Sequence, residues 1–77
     1  MTTMIVVDVT NTGRRIENFM KEQNLSVKDI QKRLNLSTSQ AVYHWLCGMS
    51  LPKIDHLVIL ADMFGVTMDD IVVTKRV

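Results

Sequence analysis

The sequence predicts a compact all-α domain of five short helices. Apolar residues recur at the three- and four-residue spacing of helices that bury one side, hydroxyl residues or asparagine stand where such stretches begin, and asparagine or glycine stands where most of them end. The chain has 77 residues and no Gly/Pro-rich break. We therefore expect one domain over residues 1–77, with its core at about 12–73 and short extensions at both ends.

The first two helices are predicted over residues 12–23 and from Ser26 to Asn35. In the first, either Asn11 or Thr12 serves as the N-cap. In the second, Ser26 is followed three residues later by an aspartate, which is the spacing of a capping box. Asn35 tolerates the left-handed backbone conformation that a sharp turn requires, so we expect the chain to turn tightly there.

The third helix is predicted over residues 37–47, with three consecutive hydroxyl residues as N-cap candidates and Gly48 as its stop signal. Its apolar side carries Ala41, Val42 and Trp45, which we expect to face the core. The opposite side is polar and nearly uncharged. That side carries Ser39, Gln40, Tyr43, His44 and Cys47.

Two more helices complete the predicted domain. Pro52 suits the first position of a fourth helix, which ends at Gly65. Thr67, with an aspartate three residues later, opens a brief fifth helix that contains Met68 and Ile71. The apolar residues that the fourth helix is expected to bury are Ile54, Leu57, Val58, Leu60, Ala61 and Phe64.

Two features are candidates for contact between copies of the chain. Ile59 and Met63 lie four residues apart on the otherwise polar side of the fourth helix, and we predict a dimer contact there. Residues 4–9 and 71–74 are short and rich in β-branched residues, as strands are. These terminal segments are the alternative dimer contact, because as strands they would pair either with each other or across a dimer.

Composition and charge narrow the class of protein. The single cysteine, Cys47, favours a reducing compartment, and no apolar run is long enough to cross a membrane, so we expect a cytoplasmic protein without membrane contact. A net charge of +1 leaves nucleic-acid binding open. Cys47, His44 and His56 do not make a catalytic or zinc site, because catalysis needs an orienting third group and zinc needs three or four ligands. We therefore predict no enzyme activity, metal or cofactor.

Residues 13 to about 73 resemble the Cro/phage-repressor (XRE) type of helix-turn-helix domain. The similarity is carried by the run QAVYHW at residues 40–45, Gly48, the triplet SLP at 50–52 and the triplet FGV at 64–66. The subset of that family whose pattern contains QAVYKW, SLP and FGV is the most similar. The resemblance implies a repressor-type helix-turn-helix fold.

The same resemblance implies double-stranded DNA as the partner. The second helix would lie across the DNA backbone while the third helix, over 37–47, reads base edges in the major groove. Gln40 is suited to paired hydrogen bonds with adenine, and Thr38 and Ser39 to contacts with bases or phosphate. Tyr43 and His44 would touch a thymine methyl group, a guanine acceptor or the backbone. Candidates for phosphate contact are Lys28, Lys32 and Lys53.

The sequence also departs from the family pattern. His44 and Cys47 stand where the family usually has lysine and arginine, and Leu46 replaces the glutamate that usually pairs with Arg15. Val27 replaces a phosphate-binding glutamine, and Gln31 replaces an alanine beside the third helix.

We expect a homodimer that binds a palindromic operator and represses transcription. The alternative is a protein-interaction module, an antitoxin or adaptor with weak or lost DNA binding, because the third helix lacks a fixed positive charge.

Overall fold

Five helices and two short strands make up residues 3–77, the part of the chain that the structure, a computed structural model, describes. In chain order they are β1 (Ile5–Val7), α1 (Val9–Glu22), α2 (Val27–Arg33), α3 (Gln40–Leu46), α4 (Ile54–Phe64), α5 (Met68–Ile71) and β2 (Thr74–Arg76). The predicted five-helix domain is confirmed. No helix in the described range is both long and apolar enough to cross a bilayer.

A single apolar core joins the helices. The side chains of Ile16, Ile30, Leu60 and Ile71, from four different helices, are fully buried in it. The rings of Phe19 and Phe64 stack at its edge with their centroids 5.3 Å apart. Leu34, Val42, Trp45 and Leu57 are among the other buried members.

Helix α1 begins three residues earlier than predicted, and neither Asn11 nor Thr12 is its N-cap. The cap is Asp8, whose carboxylate accepts a hydrogen bond of 3.0 Å from the backbone N–H of Asn11. Asp8 is an equally good cap residue and directly follows β1, so the helix can start there. Thr12 is buried instead, and its hydroxyl oxygen accepts a hydrogen bond of 3.0 Å from the N–H of Val73.

The caps of α2 and α5 are as predicted. The Ser26 hydroxyl accepts from the N–H of Asp29 at 3.1 Å, and the Asp29 carboxylate accepts from the N–H of Ser26 at 2.8 Å. Thr67 and Asp70 make the same reciprocal pair at the start of α5. These boxes satisfy N–H groups that a helix start leaves unpaired.

The predicted faces of α4 are partly wrong. The helix begins at Ile54, after an N-cap at Lys53, rather than at Pro52. Ile54 is 75% exposed and Val58 is 50% exposed, although both were expected in the core. Conversely, the side expected to be polar and free is partly covered, and its Asp62 forms an ion pair of 3.7 Å with Arg33 of α2. There Ile59 and Met63 are half-buried against the core, and Met63 lines a groove with residues of α2.

The terminal segments form a two-stranded antiparallel sheet within one chain. Ile5 pairs with Arg76, Val6 with Lys75 and Val7 with Thr74. The second strand thus begins at Thr74, where the predicted segment ended. Ile71 is instead the last residue of α5, Val72 is its C-cap, and the backbone of Val73 hydrogen-bonds to Asp8 and Thr12. Of the two pairings left open by the sequence, the structure has the pairing within the chain.

Candidate nucleic-acid interface

A short, pinned turn connects α2 to α3. Asn35 adopts the left-handed conformation with φ 55°, as its residue type predicts. Leu36 is half-buried against the core, and its N–H donates to the carbonyl oxygen of Gln31 at 2.9 Å. The Gln31 side-chain amide in turn donates to the carbonyl oxygen of Leu36 at 3.3 Å. The glutamine that departs from the family pattern therefore helps hold the turn.

Helix α3 is shorter than predicted, because it starts at Gln40 and not at residue 37. Residues 37–39 are bends that carry the chain from the turn into the helix. Ser39 occupies the N-cap position without a side-chain cap, and the Thr38 hydroxyl accepts from the Gln40 N–H at 3.3 Å. At the other end, Gly48 has φ 74° and stops the helix, as predicted.

Helix α3 has one buried and one solvent-facing side. Val42 and Trp45 are buried in the core. We call the opposite side the outward face of α3, and it consists of Gln40, Tyr43, His44 and Cys47. Gln40, Tyr43 and Cys47 are exposed and His44 is half-buried. The spacing therefore brings the predicted polar side chains onto one accessible surface without any lysine or arginine.

Two glycines let α1 hold the far end of α3. A Cβ atom on Gly13 would overlap the carbonyl oxygen of Trp45 and lie 3.2 Å from its carbonyl carbon. A Cβ atom on Gly48 would lie 3.0 Å from the Cα of Thr10. Gly13 belongs to none of the motifs that predicted the fold. A glycine inside a helical pattern is the signal that marks such close packing.

The three lysines predicted to contact phosphate are all exposed. Lys28 and Lys32 lie one turn apart on the solvent side of α2, and Lys53 is the N-cap of α4. Lys32 also lines the groove between α2 and α4 beside Met63. The lysines therefore lie on α2 and at the start of α4, whereas α3 itself carries no lysine, arginine, aspartate or glutamate.

The start of α2 carries a negative charge. The backbone N–H and the hydroxyl of Ser26 both hydrogen-bond to Asp29, and this holds the pKa of its carboxyl below the ordinary value of 3.8. The ionised carboxylate interacts with the N-terminal end of the helix dipole. A phosphate near this helix would therefore have to be bound by Lys28 rather than by free N–H groups alone.

Arg15 has a partner even though Leu46 replaces the family's usual glutamate. Its guanidinium donates to the backbone carbonyl oxygen of Asp70 at 2.9 Å. Arg15 thus joins α1 to α5.

Among residues 3–77, no three His, Cys, Asp or Glu side chains are close enough together to hold a metal ion.

Two helices joined by a tight turn, the second with one buried side and one free side, define a helix-turn-helix domain. The family model described as helix-turn-helix matches residues 16–71, and the chain belongs to this family, whose fold is that of DNA-binding transcription regulators.

The fold of the chain also resembles that of a solved DNA-binding domain. The crystal structure of the DNA-binding domain of BldD is similar, with a TM-score of 0.69 and 18% sequence identity over 86% of this chain and 94% of that one. At that identity the likeness concerns the fold alone. No curated protein matches the chain in sequence.

Proposed function

We propose that residues 1–77 act as one domain, a sequence-specific transcription repressor that binds double-stranded DNA in the cytoplasm. The observation that carries the proposal is the outward face of α3. This face is polar and solvent-accessible, while the opposite side of the same helix is anchored by buried Val42 and Trp45. A helix held in this way can enter a major groove and present side chains to base edges.

The side chains on this face suit base recognition. Gln40 lies in the first turn of α3, and its amide can both donate to and accept from adenine. A paired contact of this kind is worth about 1–3 kcal/mol of discrimination. Tyr43 and His44 lie one turn later and would contact a thymine methyl group, a guanine acceptor or phosphate. Thr38 and Ser39 precede the helix and are placed to reach bases or the backbone.

Phosphate contacts would position the domain. Lys28, Lys53 and, farther along α2, Lys32 are the candidates, since none of them forms an ion pair within the described residues. Each neutralised phosphate adds roughly 0.9 to the slope of log affinity against log salt, so we expect a slope of roughly 2–3 per protomer. A homodimer on a palindrome, with half-sites about 34 Å apart, would double both the reading surface and this slope.

A protein-interaction module is the second candidate, and two observations favour it. The outward face of α3 carries no lysine or arginine, and Asp29 is ionised at the start of α2. Both features weaken attraction to phosphate relative to a basic recognition surface. An antitoxin or adaptor with this fold would bind a protein and enrich no DNA sequence.

Selection from a random duplex library separates the two candidates. The bound fraction would be sequenced at low and moderate salt for the wild type, Gln40→Ala and Asn18→Ala. Asn18 is exposed on α1, so its alanine variant controls for loss of an amide. We expect a palindrome that is enriched by the wild type and Asn18→Ala and that loses selectivity in Gln40→Ala. Failure of the wild type to enrich any sequence at either salt would contradict DNA recognition and favour the adaptor.

A further inference from the structure

An apolar groove lies between β1 and the loop that leads into α4. Its volume is about 210 Å³, and none of the side chains that line it is charged. Ile54 lines one side of the groove and is 75% exposed. The lining residues are Val7, Thr12, Leu51, Pro52, Ile54, Leu57 and Val72.

The apolar surface continues beyond the groove on both sides. Side chains alternate along a strand, so Ile5 lies on the same side of β1 as Val7. Val58 follows Ile54 by four residues and therefore shares its side of α4. We call the exposed residues Ile5, Val7, Leu51, Ile54 and Val58 the apolar face. Their exposure ranges from 37% to 75%.

We infer that a second copy of this chain covers the apolar face, around a two-fold axis. The five side chains expose roughly 450 Å² together, a patch of the size that is often functional on a monomer. A standard interface buries roughly 800 Å² from each partner, of which slightly more than half is apolar. The apolar area available therefore matches what a stable dimer of ordinary size requires.

The shape and charge of the face suit a self-association. A two-fold interface uses the same patch on both copies, so one patch must supply both the projection and the recess. Ile54 is the projection and the neighbouring groove is the recess. The residues on either side of Ile54 are Lys53 and Asp55, which are exposed and opposite in charge. Arg76 pairs with Ile5 and therefore shares its side of the sheet. A second copy thus meets an apolar centre and a rim that carries charged side chains of both signs.

This dimer would leave the DNA-reading surface free. No residue of α3 lines the groove, so the proposed contact does not include the outward face of α3. The inference rests on the proposed function in one respect only, namely that the purpose of the dimer is to bind two DNA half-sites. The alternative contact predicted at Ile59 and Met63 offers less surface, because both side chains are half-buried against the core.

Sedimentation equilibrium without DNA tests the inference. The samples would be the wild type, Val58→Lys, the double variant Ile54→Lys/Val58→Lys and the control Met49→Lys. Met49 is 69% exposed and lies outside the groove, so its variant adds the same charge elsewhere. We expect a dimer mass at micromolar concentration for the wild type and the control, a weaker dimer for Val58→Lys and a monomer for the double variant. Circular dichroism should give all four the same helix content.

The possible results separate this inference from the proposed function. A monomeric wild type, or a double variant that is folded and still dimeric, would overturn the inference. A wild type that is monomeric yet selects a single DNA half-site would overturn the dimer and keep the regulator. A dimer that dissociates in the double variant but selects no DNA would keep the interface and overturn DNA recognition.

Discussion

Replacement of Gly13 by alanine tests how α1 positions α3. From helix propensity alone, this change should stabilise the protein, because alanine is about 1 kcal/mol better than glycine inside a helix. The tertiary structure demands the opposite. The added Cβ atom would overlap the carbonyl oxygen of Trp45, a backbone atom that cannot rotate away. The two helices would have to separate for the alanine to fit.

The size of the effect follows from these two opposing contributions. Forcing an extra carbon into a closely packed contact costs roughly 1–3 kcal/mol, and an immovable backbone neighbour places the cost near the upper end. After the gain in helix propensity, a net loss of about 2 kcal/mol remains. For a domain of this length, each kcal/mol shifts the melting temperature by about 4–8 °C, so we expect Tm to fall by about 8–16 °C.

Thermal unfolding followed by circular dichroism provides the assay, with Asn18→Ala as the matched control in the same helix. Asn18 is exposed, so its replacement gains helix propensity without a new contact and should raise Tm by a few degrees. A rise in Tm for Gly13→Ala as large as that for Asn18→Ala would refute the close approach of α1 to α3. DNA binding below the melting transition should also weaken, because α3 is displaced.

Further predictions concern the C-terminal segment, acid stability and the outward face of α3. Thr12→Val should lower stability by about 1–3 kcal/mol and speed hydrogen exchange at Val73, since it leaves the part-buried N–H of Val73 without its acceptor; unchanged exchange would contradict this. The hydrogen-bonded carboxylates of Asp29 and Asp70 have pKa values lowered below 3.8, so their contribution to stability is present above about pH 4 and is lost as the pH falls through the lowered values. Tm should therefore drop below about pH 4, and less steeply in the double variant Asp29→Asn/Asp70→Asn, which lacks the two carboxylates that accept from the backbone N–H groups of Ser26 and Thr67; identical slopes would exclude these carboxylates as the cause. Alkylation of exposed Cys47 should weaken DNA binding while Tm stays constant, and a Cys47→Ser variant should be insensitive to the reagent.

The local parts of the fold could be predicted from the sequence because their signals are local. Ser26 and Asp29 are three residues apart, and the capping box needs only those two side chains and their own backbone. Asn35 and Gly48 adopt positive φ values, as their residue types allow. The spacing of polar residues along α3 also predicted that Gln40 and Tyr43 share one accessible side, because the helical period alone determines which residues share a side.

The remaining parts depend on contacts between distant segments. Asp8 and Asn11 are both good caps, and the pairing of β1 with β2 accompanies the start at Asp8. Ile54 and Val58 were expected in the core because apolar side chains usually are, but apolar residues also cover much of any protein surface. Gly13 could not be understood without the position of Trp45, which is 32 residues away in the sequence.

The proposed function depends on contact between DNA and the outward face of α3. A titration of ¹⁵N-labelled protein with the selected duplex, followed by amide chemical shifts, tests it most directly. We expect the largest shifts at residues 38–47, with smaller ones at Lys28 and Lys53. Shifts confined to the apolar face around Ile54, or no shifts at a saturating duplex concentration, would contradict it.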